Sequence, residues 1–136
     1  MKKINGIPNI LKVVLIALLV MTLNNAIAQN KKRVVRIARI EIDTSQIDNY
    51  KAALKDIGEA SLRTEPGVLM LYSVADKIKT NHITVMEIYA DSTAYETHRQ
   101  TAHFKKYKET IKNMVRSLEL VDVDPIFTGI KPDILK

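Results

Sequence analysis

The sequence predicts an α+β domain with the element order β-α-β-β-α-β. Three observations carry that expectation: β-branched alternating stretches flank an amphipathic helical stripe, a short polar loop joins two consecutive apolar runs, and a second helical stripe precedes a last strand. The first strand is Arg33 to Asp43, with Arg36, Ala38, Ile40 and Ile42 on one face and Val35, Ile37, Arg39 and Glu41 on the other. Thr44 or Ser45 is expected to cap the helix that follows, with Asp48 in the first turn where a negative charge suits the dipole. Ile47, Tyr50, Leu54, Ile57 and Ser61 or Leu62 then recur at helical spacing, giving one core-facing stripe. Glu65-Pro66-Gly67 ends the helix, because proline cannot continue the hydrogen-bond ladder and glycine eases the turn.

Val68 to Ala75 reads as a second strand and Ile83 to Tyr89 as a third, and the polar stretch from Asp76 to His82 suggests an antiparallel hairpin. Asp91 and Ser92 offer N-caps for a short helix carrying Ala94, Tyr95, His98 and Ala102. A break near Ala102-His103 separates it from a stripe at Phe104, Tyr107, Ile111, Met114, Val115 and Leu118. A last strand is expected from Glu119 to Phe127, followed by a tail from Gly129 to Lys136. This is the split βαβ, ferredoxin-like pattern, a four-stranded antiparallel sheet with its helices on one face. The other face is then bare yet largely apolar. A small chain does not leave such a patch in water, so a homodimer stacking these faces is expected.

The N-terminus has a different grammar. Lys2 and Lys3 precede an apolar run from Val13 to Leu23, and Ala26-Ile27-Ala28 supplies a small-x-small cleavage site before Gln29. That run is shorter than the ~20 residues needed to span a bilayer, so residues 1–28 read as a signal peptide, with a retained anchor as the competing reading. The mature chain, 29–136, is then one exported domain, periplasmic or secreted, with no stable membrane insertion. Losing Lys2, Lys3 and Lys12 halves the net charge from +6 to +3. Nucleic acid is therefore not an expected partner, since phosphate binding needs a concentrated basic surface. The chain has no cysteine and four glycines, which excludes thiol chemistry, Cys-based metal sites and a Gly-rich phosphate loop.

The chemically capable side chains cluster between Glu87 and Phe104. Glu87 alternates with Ile83 and Val85 and shares their apolar face with Tyr89. A carboxylate there is either paired, with Arg36, Arg39 or Tyr72, or carries a raised pKa. His98 follows the inward stripe of Ala94 and Ala102, either to meet a ligand or as a core histidine satisfied by a carbonyl. His103, at the break, is placed to cap a helix end or to act with His98. The two histidines lie about 140° apart on an unbroken helix and share a face only if it kinks. Zinc-type spacing is i,i+4 and no third ligand is evident, so no metal site is expected. Both have the side chain suited to acid–base work at neutral pH.

The Glu65-Pro66-Gly67 turn leading into the strand that carries Tyr72 resembles the Glu-x-Gly turn of the antibiotic biosynthesis monooxygenase domain family. The later Glu87-x-Tyr89-x-Asp91-x-x-Ala94-x-x-x-His98-x-x-Thr101-x-His103-Phe104 resembles that family's signature region. The resemblance runs from about Val34 to Phe127. It implies a dimeric α+β barrel with a pocket between sheet and helices in each subunit. His98 and His103 match the family's paired histidines and Glu87 its strand acid, and these three are the catalytic candidates. Tyr89 falls where many oxygenase members have tryptophan, which brings the chain closer to the quinol-oxidising and isomerase branches. Haem degradation is disfavoured, since the first strand has no asparagine.

What the resemblance implies is a monooxygenase without cofactor or metal, acting on a quinol or other phenolic small molecule and O₂. The substrate would stack against Tyr72, Tyr89 and Phe104. His98, or Glu87 through it, would remove the phenol proton, and the anion would react with O₂. Two alternatives stay open: an isomerase of a small carbonyl compound using the same groups, with Arg99 and Lys105 as its candidate cations, and a non-catalytic dimeric ligand-binding module.

Overall fold

The computed structural model describes residues 32–131. The expected leader, residues 1–28, and the end of the tail lie outside the described residues. Four strands, β1 (Val34–Ile42), β2 (Val68–Ala75), β3 (His82–Tyr89) and β4 (Val115–Asp122), form one antiparallel sheet in the order β2-β3-β1-β4. The helices are α1 (Ile47–Thr64), α2 (Ser92–Gln100) and α3 (Ala102–Ile111), so the ferredoxin-like α+β fold is the one observed. Among the described residues no helix is long and apolar enough to cross a membrane.

The faces of β1 divide as its alternation requires. Ala38, Ile40 and Ile42 are buried under the helices, where they join Tyr50 of α1, Ile83 and Val85 of β3 and Ile111 of α3 in one core. Ile42 and Tyr50 are fully buried, and each contributes about 1.5–3 kcal/mol by leaving water. The Tyr50 hydroxyl is satisfied by that of Tyr107 at 3.0 Å, which is what permits a phenol in the core. Antiparallel register then sets the opposite face. Ile37, Met70, Tyr72, Val74, Met86 and Ile88 alternate with the buried set and look away from the helices.

Three local expectations are corrected. The first helix is capped by neither Thr44 nor Ser45. Asp43 accepts from the Ser45 N–H at 2.9 Å and opens a short 3-10 turn, Thr44–Gln46, ahead of α1. An aspartate reaches an N–H two residues on without distorting its own backbone, so it takes the cap first.

The second correction concerns the end of the chain. The last helix stops at Ile111, and Val115 to Leu118 belong to β4 rather than to a helical stripe. Spacings of 111, 114, 115 and 118 fit a helix, but β1 has an otherwise unpaired edge that this segment fills, with Ile40 opposite Leu118 and Ala38 opposite Leu120. The strand does not continue to Phe127. It ends at Asp122, Val123 adds one bond to the Val35 carbonyl at 3.0 Å, and Pro125 has no N–H to extend the ladder.

The third correction is at the break between α2 and α3. The end of the preceding helix is served by Thr101, not His103: its hydroxyl donates to the His98 carbonyl at 2.8 Å and also caps α3 by accepting from the Phe104 N–H at 3.2 Å. The inward stripe ends there, because Ala102 is exposed.

Candidate functional site

Between the sheet and the helices lies a half-open cavity of about 590 Å³ whose lining includes Arg36, Glu87, Tyr89, Tyr95, His98 and Phe104. Each polar group arrives there for a local reason. Glu87 and Tyr89 share the helix-side face of β3 by alternation, and Arg36 stands opposite Glu87 on β1. Asp91 caps α2 by accepting from the Ala94 N–H at 2.8 Å, which fixes the turn after β3 and with it the helix carrying Tyr95 and His98. Gly67 lets α2 come close: a Cβ there would lie 2.5 Å from the Ala94 Cβ.

His98 is buried on α2 and its Nδ1 lies 3.0 and 3.1 Å from the two carboxylate oxygens of Glu65. His103 Nε2 lies 2.5 Å from Glu65 Oε1. The Glu65 side chain is only 10 % exposed. Burial opposes its ionisation, but the hydrogen bonds from His103 and His98 prevail and hold its carboxyl below the usual glutamate value. An ionised carboxylate only accepts, so His98 Nδ1 carries a proton toward it and Nε2 is the nitrogen left for an occupant of the cavity. The ring is clamped between Tyr89 and Phe104, with centroids at 5.4 and 4.8 Å.

Glu87 is the opposite case. Burial pushes its carboxyl upward, while the Tyr89 hydroxyl, donating at 3.2 Å, and the charges of His98 and Arg36 pull the other way without cancelling the rise. Its partner is therefore Tyr89, not Arg36, Arg39 or Tyr72. Arg36 also has Asp122 opposite it on β4 and donates there through Nε at 2.7 Å. Its guanidinium meets the Tyr95 hydroxyl as well and lies 4.4 Å from that ring's centroid. The Tyr89 hydroxyl is itself pushed well up by burial and by the Glu87 charge, so it stays a donor.

His98, Glu87, Tyr89 and Phe104 thus meet at one cavity. His103 does not line it; it stands behind His98 and shares Glu65. Tyr72 is on the opposite sheet face, 63 % exposed, because it pairs with Met86 rather than with the inward-facing Glu87, so within one subunit it is not a substrate contact. In the sequence Glu65 stands as a turn residue, and a carbonyl is one of the two partners open to His98; the structure supplies the Glu65 carboxylate instead of the carbonyl. Glu65 shows itself as a functional residue only through its place in the Glu-x-Gly turn, since nothing in its spacing points to two histidines more than thirty residues away. The expectation of no third metal ligand is corrected by the same residue. The break at Thr101 rotates α3 relative to α2, and Glu65, His98 and His103 bring three ligand atoms within 4.8 Å of one another. Those donors could hold a divalent cation, while their present spacing is that of imidazole N–H groups on one carboxylate.

The fold and this cavity define an α+β domain of the ferredoxin-like class with a histidine–carboxylate site on its helix side. Residues 33–110 match the antibiotic biosynthesis monooxygenase family, and the chain belongs to it. A crystal structure from Bacteroides thetaiotaomicron, carrying the provisional name antibiotic biosynthesis monooxygenase, is 51% identical over 76% of this chain and 97% of its own, with a TM-score of 0.71. A similarly named structure from Nitrosomonas europaea is 20% identical over 74% of this chain and 97% of its own, TM-score 0.67. One from Lactobacillus acidophilus, provisionally named a monooxygenase, is 24% identical over 70% of this chain and 51% of its own, TM-score 0.65. These last two show the fold alone. No curated protein matches the chain.

Proposed function

We propose that this protein is a cofactor-independent monooxygenase that oxidises a quinol or related phenol with O₂. The observation that carries the reading is the contact of His98 Nδ1 with the Glu65 carboxylate: with Nδ1 so engaged, Nε2 is the nitrogen left to act as a base at a cavity lined by Tyr89 and Phe104. In this reaction Nε2 takes the phenol proton, and the resulting electron-rich anion reacts with O₂. One oxygen atom enters the ring and the other leaves as water, and the quinol itself supplies all the electrons. Glu87, biased toward its protonated form, donates to the developing oxyanion or returns the proton, and Tyr89 orients it. The apolar side chains beside it lower the polarity around the anion.

The working unit in this proposal is an exported homodimer whose subunits stack their outer sheet faces. Exposed Tyr72 and Val74, with Met70, Met86 and Ile88 beside them, support that arrangement, and light scattering with N-terminal sequencing of the secreted product tests it. A monomer, or a product that does not begin at Gln29, would remove those parts.

The chemistry is tested in an oxygen electrode with reduced quinones. His98→Ala should lower O₂ uptake by about 10²- to 10⁴-fold, the usual worth of a positioned general base. Equal uptake by wild type and variant would sink the mechanism. Turnover of a bound carbonyl compound without O₂ consumption would favour the isomerase instead.

A further inference from the structure

We propose that the substrate carries an apolar tail, and that Gly58 keeps the far end of the cavity open to receive it. This rests on the phenol-oxidising reading and adds the shape of the substrate to it. Polarity in the cavity is segregated along the strands. Arg36, Glu87, Tyr89, Tyr95 and His98 line one end, where β1 begins and β3 finishes. From there the lining turns to Ile40, Leu54, Ile111, Val115 and Leu118; the polar side chains beyond are Tyr107, whose hydroxyl is taken up by that of Tyr50, and Ser73, Lys55, Glu59, Lys108 and Lys112, all exposed. The step from Arg36 to Ile40 alone is about 13 Å at strand rise. A bare phenolic ring held at His98 leaves that length empty.

Gly58 supplies the independent observation. It lies in the interior of the 18-residue helix α1, a position where glycine is disfavoured and alanine would serve the helix better. Close packing is not the reason for it, because among the described residues a Cβ at Gly58 would meet nothing within 4 Å. Yet Gly58 lines the cavity, between Leu54 one turn before and Leu62 one turn after. The missing side chain is therefore cavity volume at mid-length, on the path from the polar end to the apolar one. An alkyl or isoprenoid substituent on the phenolic ring is the occupant this shape fits. It offers no polar group to a wall whose inward side chains are mainly apolar, and each buried methylene adds affinity.

Calorimetric titration of the full chain with 4-alkylphenols from methyl to pentyl tests the tail site. Wild type should bind about fourfold tighter per added methylene, equivalent to about 0.8 kcal/mol each. Gly58→Leu should flatten that series while melting no lower than wild type. Gly58→Ala should keep the slope, which separates filling the cavity from altering the helix. A flat series in wild type, an unchanged slope in folded Gly58→Leu, or no binding by any member overturns the proposal. The two readings fail separately. A chain-length slope without O₂ uptake retains the tail site and removes the oxygenase, whereas uptake indifferent to tail length retains the oxygenase and removes the tail site.

Discussion

The turn after α1 and the end of β3 each place a glutamate beside His98, and the two carboxylates are driven in opposite directions. Both are largely buried, and burial alone would raise both pKa values. Glu65 has two imidazole donors and is held ionised, while Glu87 has one phenol and is pushed toward its neutral form. Burial sets the cost of charge; the number and kind of donors decides whether a charge is kept. One histidine between a carboxylate held below its usual pKa and another pushed above it is an arrangement in which a proton can be moved across the cavity and back.

The largest effect that would break this contrast is removal of Glu65. Glu65→Leu leaves the buried His98 and the half-buried His103 without their acceptor and should destabilise the fold by about 3 kcal/mol. Glu65→Gln keeps the shape but frees the His98 tautomer, and kcat should fall by about 10²-fold with KM little changed. Nitrogen-detected NMR of His98 separates the two effects, since the Nδ1–H signature should be lost in the glutamine variant. If that signature and kcat both persist, Glu65 does not position the base.

Next in size is Gly67→Ala. Its Cβ would collide with the Ala94 Cβ, moving α2 away from the turn and lowering stability by about 2 kcal/mol in denaturant unfolding. Because α2 carries His98, the His98–Glu65 hydrogen bond should weaken with it. A variant as stable as wild type would mean that the two elements are not in contact through Gly67.

The smallest effect sharpens the comparison through pH. The Glu65 value is depressed on folding, so its contribution is present above the unfolded value of about 4.5 and is lost as pH falls through the folded one. Glu87 is raised on folding. Its protonated form favours the native state, and that contribution is lost as pH climbs from about 4.5 through the raised value. Glu87→Gln should therefore stabilise the protein by about 1 kcal/mol at pH 7, with the gain shrinking toward pH 4. Thermal melts across that range show it, and Glu65→Gln should show the reverse slope. The same sign for both variants would end the distinction.

Much of the fold was legible because it depends on local periods. Alternation gave β1 its inward Ala38, Ile40 and Ile42 and placed Glu87 with Tyr89 on the helix side; the Asp91 cap marked α2. The errors came where two periods compete. Met114, Val115 and Leu118 satisfy a helix as readily as a strand, and only the vacant edge of β1 decided between them. The site was legible in part for the same reason. His98 and Phe104 were placed inward from helical spacing, while Tyr72 was misplaced because side-chain type says nothing of which sheet face a register selects.

The sequence by itself determined the identity of the chemical groups, the order of the elements and the inward face of each, since all three follow from residue type and backbone period. Only the tertiary structure decided the partners. Glu65 meets His98 and His103 because Gly67 allows α2 to approach and Thr101 breaks the helix between the two histidines. Glu87 meets Tyr89 because Arg36 is drawn to Asp122 across another strand. Gly58 borders the cavity because none of the described residues packs against it. Glu87 and Tyr89 are neighbours on one strand. The contacts of Glu65 with the histidines and of Arg36 with Asp122, however, join residues far apart along the chain. What fixes those is the distance between elements in space, which no local period encodes.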